Sequence, residues 1–197
     1  MHAATAESSR IVQIQVIGAP KFDVIYHRAL TNATGAVIAG LIGAGIQSGI
    51  ESGKDSKKRD AIQPFVAEHV WDDAFIKTFN ESLLAKGLTP IWVGDKSDTK
   101  RESADVYVLL EPETYGFRMV DTNTALVSAY VEFNAAFTRE RPRSRSKAPK
   151  ESFYLTHNRQ ASYEEILQQG SQLNAEVEAV LTQAARRLAN KIAYNIN

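Results

Sequence analysis

The chain has 197 residues, 44 % apolar and 23 % charged, and its 23 basic and 23 acidic side chains cancel to a formal net charge of zero. Such a chain is large enough to bury one ordinary core, and its balance excludes both a disordered polymer and a protein drawn bodily to nucleic acid or membrane by net charge. Cysteine is absent, which excludes disulfide scaffolds, thiol nucleophiles and thiolate metal sites together.

Residues 1–9, MHAATAESS, are small and polar and read as a flexible tether. A basic stretch followed by an apolar one is missing from them, so no leader peptide is expected there. The single domain is expected over 10–197. It opens with RIVQIQVIG, in which apolar residues alternate with Gln13 and Gln15 at the period of a half-buried strand. After Pro20, FDVIYHRAL reads as a second extended piece.

Ala36 to Lys54, AVIAGLIGAGIQSGIESGK, is rich in glycine. A phosphate loop would need four residues between its glycines and a Ser or Thr after the lysine, whereas GIESGK is one residue short and Asp55 follows. A dinucleotide fold would need a strand ending in an acidic residue further on, and ESGKDSKKRDAIQP supplies none. Spanning a membrane takes roughly 20 apolar residues, but this run is shorter and holds Gln47 and Ser48. Helical spacing fits best: Ile38, Ile42, Ile46 and Ile50 form one ridge, and Ala36, Gly40, Ala44 and Ser48 another. The expectation is a glycine-rich apolar helix over 33–53, with Gly40, Gly43, Gly45 and Gly49 allowing close approach of a neighbour. Internal packing and an oligomer or membrane contact both remain open for it.

The charged run KDSKKRD reads as a solvated link. Pro64 to Lys86 reads as one amphipathic helix with Val66, Val70, Phe75, Phe79 and Leu83 on its apolar face and Gly87 at its end. TPIWVG reads as a short buried strand. ADVYVLLEPETYGFRMV and LVSAYVEFNAAFTRE are alternating strands joined by a turn at DTNT, with Pro112 confined to an edge, bulge or strand end. In the second of them Val127, Val131, Phe133 and Phe137 face one way and Ser128, Glu132 and Asn134 the other. SFYLTHNRQ is a further strand, Ser162 and Glu165 offer a capping box, and Ser171 to Ile196 is a long amphipathic helix.

The implied fold class is α+β: a mixed, largely antiparallel sheet of about five strands, two long helices on one face, and the glycine-rich helix as an insertion. ADVYVLLEPETYGF, LVSAYVEFNAAFTRE, a strand, then NAEVEAVLTQAARRLANKIA is also the element order in which the chain resembles bacterial envelope lipoproteins with a fold similar to the amino-terminal domain of TolB. That group includes auxiliary lipoproteins of ABC transporters. The resemblance implies a mixed sheet with helices on one face and a non-enzymatic accessory role in the periplasm. It further implies a lipid anchor at the outer membrane carried upstream of this sequence, and it transfers no catalytic residue.

Between two strands lies RERPRSRSKAPK, where Arg139, Arg141, Arg143, Arg145, Lys147 and Lys150 concentrate positive charge in an otherwise neutral chain. Over 139–150 a basic hairpin arm is expected, suited to an anionic lipid, a glycan surface or an envelope protein; the alternative is a nucleic-acid-binding module using the same arm. Its bland reading is solubility and edge protection. His69 and Asp73 share a helix face, but two ligands fall short of a metal site, and neither metal nor cofactor is expected. Glu111 and Glu113 flank Pro112 on one strand, ordinary for solvated carboxylates. Trp71 and Trp92, with tyrosines 107, 115, 130, 154 and 163, read as core aromatics with hydroxyls at the rim. No RNA-binding aromatic signature accompanies them.

Overall fold

The computed structural model describes residues 10–25, 52–93, 104–121, 126–139 and 149–196. Their strands are β1 Arg10–Val16, β2 Lys21–Ile25, β3 Leu88–Val93, β4 Val106–Asp121, β5 Leu126–Thr138, β6 Lys150–Thr156 and β7 Ala161–Ser162. The α-helices are α1 Ser52–Ile62, α2 Lys77–Leu84, α3 Tyr163–Gln169 and α4 Gln172–Ile196.

The class is α+β as expected, but the sheet holds seven strands instead of about five, ordered β3-β1-β4-β5-β6, with β2 paired to β4 and β7 to β5. The difference comes from the 16-residue length of β4. β5 pairs along nearly all of one side of it, but on the other side no single strand does, so β1 pairs with its first half and β2 with its second, end to end. The sheet is also less antiparallel than expected. β1 lies parallel to both β3 and β4, and β2 parallel to β4, whereas β5 runs antiparallel to β4, β6 and β7. Parallel partners need a long crossover between them; α1 and α2 fall between β2 and β3 in the chain.

Alternation decides which sheet face is apolar. Val12 and Ile14 of β1, Val108 and Leu110 of β4, Val131 and Phe133 of β5 and Phe153 of β6 point to one side and are buried. Against that side pack α2 and α4. On α4 the stripe Leu173, Val177, Leu181, Ala184, Leu188 and Ile192 is fully buried, so its helical period is the one the sequence shows. One contiguous apolar core joins the sheet, α4, α2 and Ile62 of α1.

Pro112 behaves as its chemistry requires. The β4–β5 register shifts between Pro112 and Thr114, a bulge at the point where β1 has ended and β2 has not begun. The capping box is present: Ser162 Oγ accepts from the Glu165 amide, and the Glu165 carboxylate accepts from the Ser162 amide at 2.7 Å.

Three expectations change. The charged run KDSKKRD belongs to α1, since lysine, arginine and alanine favour helix and tertiary contact holds it: the Tyr163 hydroxyl donates to the Lys58 carbonyl at 3.3 Å. Pro64 to Lys86 is not one helix. A 3-10 turn Gln63–Phe65 ends at Val66 in extended conformation, and a π-helical turn Trp71–Ile76 then runs into α2. β3 is an edge strand, mostly half-buried, and Pro90 is tolerable there because an edge leaves its missing N–H without a required partner. The 1–9 tether and 122–124 of the expected turn lie outside the described residues. The expected glycine-rich helix does too, except for its last two positions, which open α1.

Candidate binding cleft

At the end of β1 the Ile17 amide donates to the Leu110 carbonyl at 2.9 Å, and the chain then leaves β4. Gly18 turns it with φ of +83°, a conformation costly for other residues. Ala19 and Pro20 follow, and β2 rejoins β4 with Lys21 opposite Thr114. This detour makes one wall of a cleft of about 430 Å³.

The opposite wall is the segment around the π-helical turn. Its approach is anchored by Asn174 of α4, whose side-chain oxygen accepts from the Ala67 amide at 2.9 Å. Within the turn the Lys77 amide reaches the Asp72 carbonyl, five residues back. The wider ring accommodates one extra residue per turn, a device that recurs at functional sites in helices. Glu68, Trp71, Asp72 and Ile76 line the cleft from this side. Trp92 of β3 and Tyr115 of β4 complete it.

Its aromatic floor is fixed from behind. Trp71 stacks on Phe75 with ring centres 4.4 Å apart, and Phe75 meets Phe133 edge-on at 5.3 Å. Trp92 stands edge-on to Phe79 at 6.1 Å, and its indole N–H donates to the Asn80 side-chain oxygen at 2.8 Å. Trp71 and Tyr115 are 4 % and 7 % exposed, while Glu68 and Asp72, four residues apart, are exposed at the rim. Burial first, and then the Asp72 charge, raises the Tyr115 phenol above its usual value and keeps it protonated. Among the described lining residues none is basic. The cleft also opens at the carboxyl ends of the parallel pair β1 and β3, where parallel sheets habitually present ligand crevices.

No family model and no curated protein matches the chain. Among solved structures it is similar to a Xanthomonas campestris protein of the DUF330 family, at 13 % identity and TM-score 0.40, over 62 % of this chain and 60 % of that one. It is similar also to a minor lipoprotein of Acinetobacter baumannii, at 16 % identity and TM-score 0.39, over 62 % of this chain and 84 % of that one. A third is a neuraminyllactose-binding hemagglutinin homolog of Helicobacter pylori, at 11 % identity and TM-score 0.40, over 100 % of this chain and 90 % of that one. The chain thus spans about three fifths of the length of the Xanthomonas protein.

Of the basic arm, Arg139 and Lys150 are described, and both have protein partners. Arg139 donates to the Asn195 and Ile196 carbonyls at 3.1 and 3.3 Å, at the carboxyl end of α4. Lys150 donates to both Glu111 carboxylate oxygens at 2.8 Å. Arg141, Arg143, Arg145 and Lys147 lie outside the described residues, as do Gly40, Gly43, Gly45 and Gly49. Glu111 and Glu113 converge on Asn134: Glu111 is its register partner, and Glu113 accepts from its amide nitrogen. His69 and Asp73 are exposed, and the Asp73 amide donates to the His69 carbonyl at 3.0 Å. Among the described residues no three His, Asp or Glu gather as metal ligands.

The sheet face away from α2 and α4 is not uniformly solvated, contrary to the sequence pattern. Ser128 and Tyr130 are fully buried there and Glu132 is 9 % exposed. The Arg118 guanidinium lies 5.8 Å from the Tyr130 ring centre and 5.4 Å from that of Tyr154. Burial raises the Tyr130 and Tyr154 phenols and the Glu132 carboxyl, the last also pushed up by Glu113 and opposed by Arg118.

The cleft draws on positions 16–20, 68–76, 92 and 115, which sequence reading treated as separate elements. Trp71, Trp92 and Tyr115 read as core or rim aromatics. The one available signal was Glu68 and Asp72 beside Trp71 at helical spacing.

Proposed function

We propose that this protein is a non-enzymatic binding or accessory protein of the bacterial cell envelope, periplasmic and held at the outer membrane by a lipid on an upstream residue. The observation that carries the binding part is the cleft, a concavity with an aromatic floor fixed by core contacts and a charged rim open to solvent. Such a site holds a group reversibly without rearranging first. A mixed sheet with helices on one face is also the layout that the resemblance to the TolB amino-terminal domain implies. In this reading the basic arm over 139–150 serves as a second contact, towards an envelope protein or an anionic lipid or glycan surface.

The test is the mass and fractionation of the native product expressed from its own start. An acylated amino-terminal residue in the membrane fraction is the expected result. An unmodified product in the cytosol overturns the envelope assignment. Retention of RNA that weakens steeply with salt and is lost on charge reversal at Arg143 and Arg145 would favour the nucleic-acid alternative in its place.

A further inference from the structure

Resting on the binding reading above, we propose that the cleft is a site for a small organic cation, an alkylammonium group seated against Trp71, Trp92 and Tyr115 and paired with the Glu68 and Asp72 carboxylates. Three features of the cleft select this chemistry together. Aromatic faces attract alkylated ammonium groups through their quadrupoles, tryptophan most strongly, and a low-dielectric wall strengthens the effect. The described lining carries two carboxylates and no basic side chain, so among the described residues an anionic ligand would meet only like charge. The volume of about 430 Å³ falls within the range of about 300–1,000 Å³ usual for small-molecule sites.

The rings are pre-positioned. Trp71 cannot tilt freely while stacked on Phe75, and Trp92 is held by Asn80 through its indole N–H. Asp72 and Glu68 lie four residues apart on one segment, and both line the cleft. A cation can therefore use the aromatic wall, chiefly the half-buried Trp92 with the small uncovered parts of Trp71 and Tyr115, and the carboxylates at the rim, whereas a neutral group of the same shape gains only the first.

The chain has two tryptophans, Trp71 and Trp92, and both line the cleft. Intrinsic fluorescence of the intact protein thus reports this site. The experiment titrates the protein with choline and, separately, with 3,3-dimethyl-1-butanol, the alcohol in which carbon replaces the quaternary nitrogen, at constant ionic strength. Expected is a saturable change with choline, with a Kd on the order of 1 mM, and binding of the alcohol weaker by about fivefold or more. Asp72→Asn with Glu68→Gln, both exposed positions, should weaken choline about two- to tenfold and leave the alcohol unchanged. Sedimentation with phosphatidylcholine vesicles, lost in the double variant, would identify a lipid headgroup as the source; a response to free choline alone identifies a soluble cation. Equal binding of the alcohol, no saturable response to either compound, or a double variant that binds choline like the parent overturns the proposal. If the native product is acylated and in the membrane but the titration is flat, the cation site falls and the envelope reading stands; the reverse pattern removes only the latter.

Discussion

Gly116 shows how sharply a single position can constrain the sheet. Its φ is +142°, and a Cβ there would overlap the backbone carbonyl oxygen of Asp23, the residue opposite it on β2. Relief would require the two backbones to separate. Gly116→Ala is therefore expected to destabilise the protein by about 2–4 kcal/mol, from the strained conformation and the lost pairing together. Gly18 has φ of +83° and open space around its missing Cβ, so Gly18→Ala should cost only the conformational part, about 1–2 kcal/mol. Urea titrations of the two variants check the contrast; equal midpoints would show that the Asp23 carbonyl exerts no such constraint. Glu132 supplies a pH-dependent counterpart. Burial, and then Glu113, raise its carboxyl above the ordinary 4.5, so the folded chain holds this proton more tightly than the unfolded one. Its stabilising contribution is complete below 4.5 and is lost as pH rises through the raised folded value. Glu132→Gln should gain stability over the parent towards neutral pH and show no such gain in acid. Melting curves from pH 4 to 8 would reveal this as a narrowing gap on acidification, and a constant gap would contradict it.

At the scale of elements, the π-helical turn is the unusual part of an otherwise regular layer. One residue too many between Trp71 and Ile76 sets the phase of Trp71 and Asp72 relative to α2, whose Phe79 and Leu83 are locked in the core. Deleting Asp73, which is exposed, should restore an α-helical ladder and rotate everything before it by about 100° around the axis. The expected variant keeps its helical circular dichroism and melts cooperatively, but the tryptophan emission shifts red as Trp71 leaves its place on Phe75. Unchanged emission would mean that the turn does not control the cleft. The short helix α3 depends on its capping residue in a more ordinary way. Ser162→Ala removes the acceptor for the Glu165 amide and should cost about 1 kcal/mol, read as a lower denaturation midpoint.

Across the whole molecule, the first described strand and the last helix are tied together. Arg10 of β1 donates to the Ile196 carbonyl at 3.0 Å, and Arg139, just past β5, reaches the same carbonyl. Both satisfy acceptors that a helix end leaves open, and both place positive charge at its negative pole. Arg10→Ala with Arg139→Ala should speed hydrogen exchange in the last turn of α4 and leave the buried amides near Leu181 protected. What the sequence makes legible follows from how local each constraint is. The α4 stripe, the capping box, the β4 and β5 alternation and the Pro112 bulge each depend on residues close in the chain. The pairing of Arg10 with Leu88 and of Val12 with Val106 does not, because strand periodicity shows which face is buried and never which strand lies alongside. A π turn differs from an α turn by one residue within a pattern already interrupted by Pro64. The cleft needs both of these at once, so it becomes visible only when four distant stretches meet.

The interrupted line that β1 and β2 form along one side of β4 has one more implication. Each half holds its own register on β4, Val12 to Val106 on one side of the break and Lys21 to Thr114 on the other. Residues added or removed between Gly18 and Pro20 would consequently leave both registers in place while reshaping the wall they form. Length changes at this one junction would therefore alter the shape of the cleft with the sheet and core left intact.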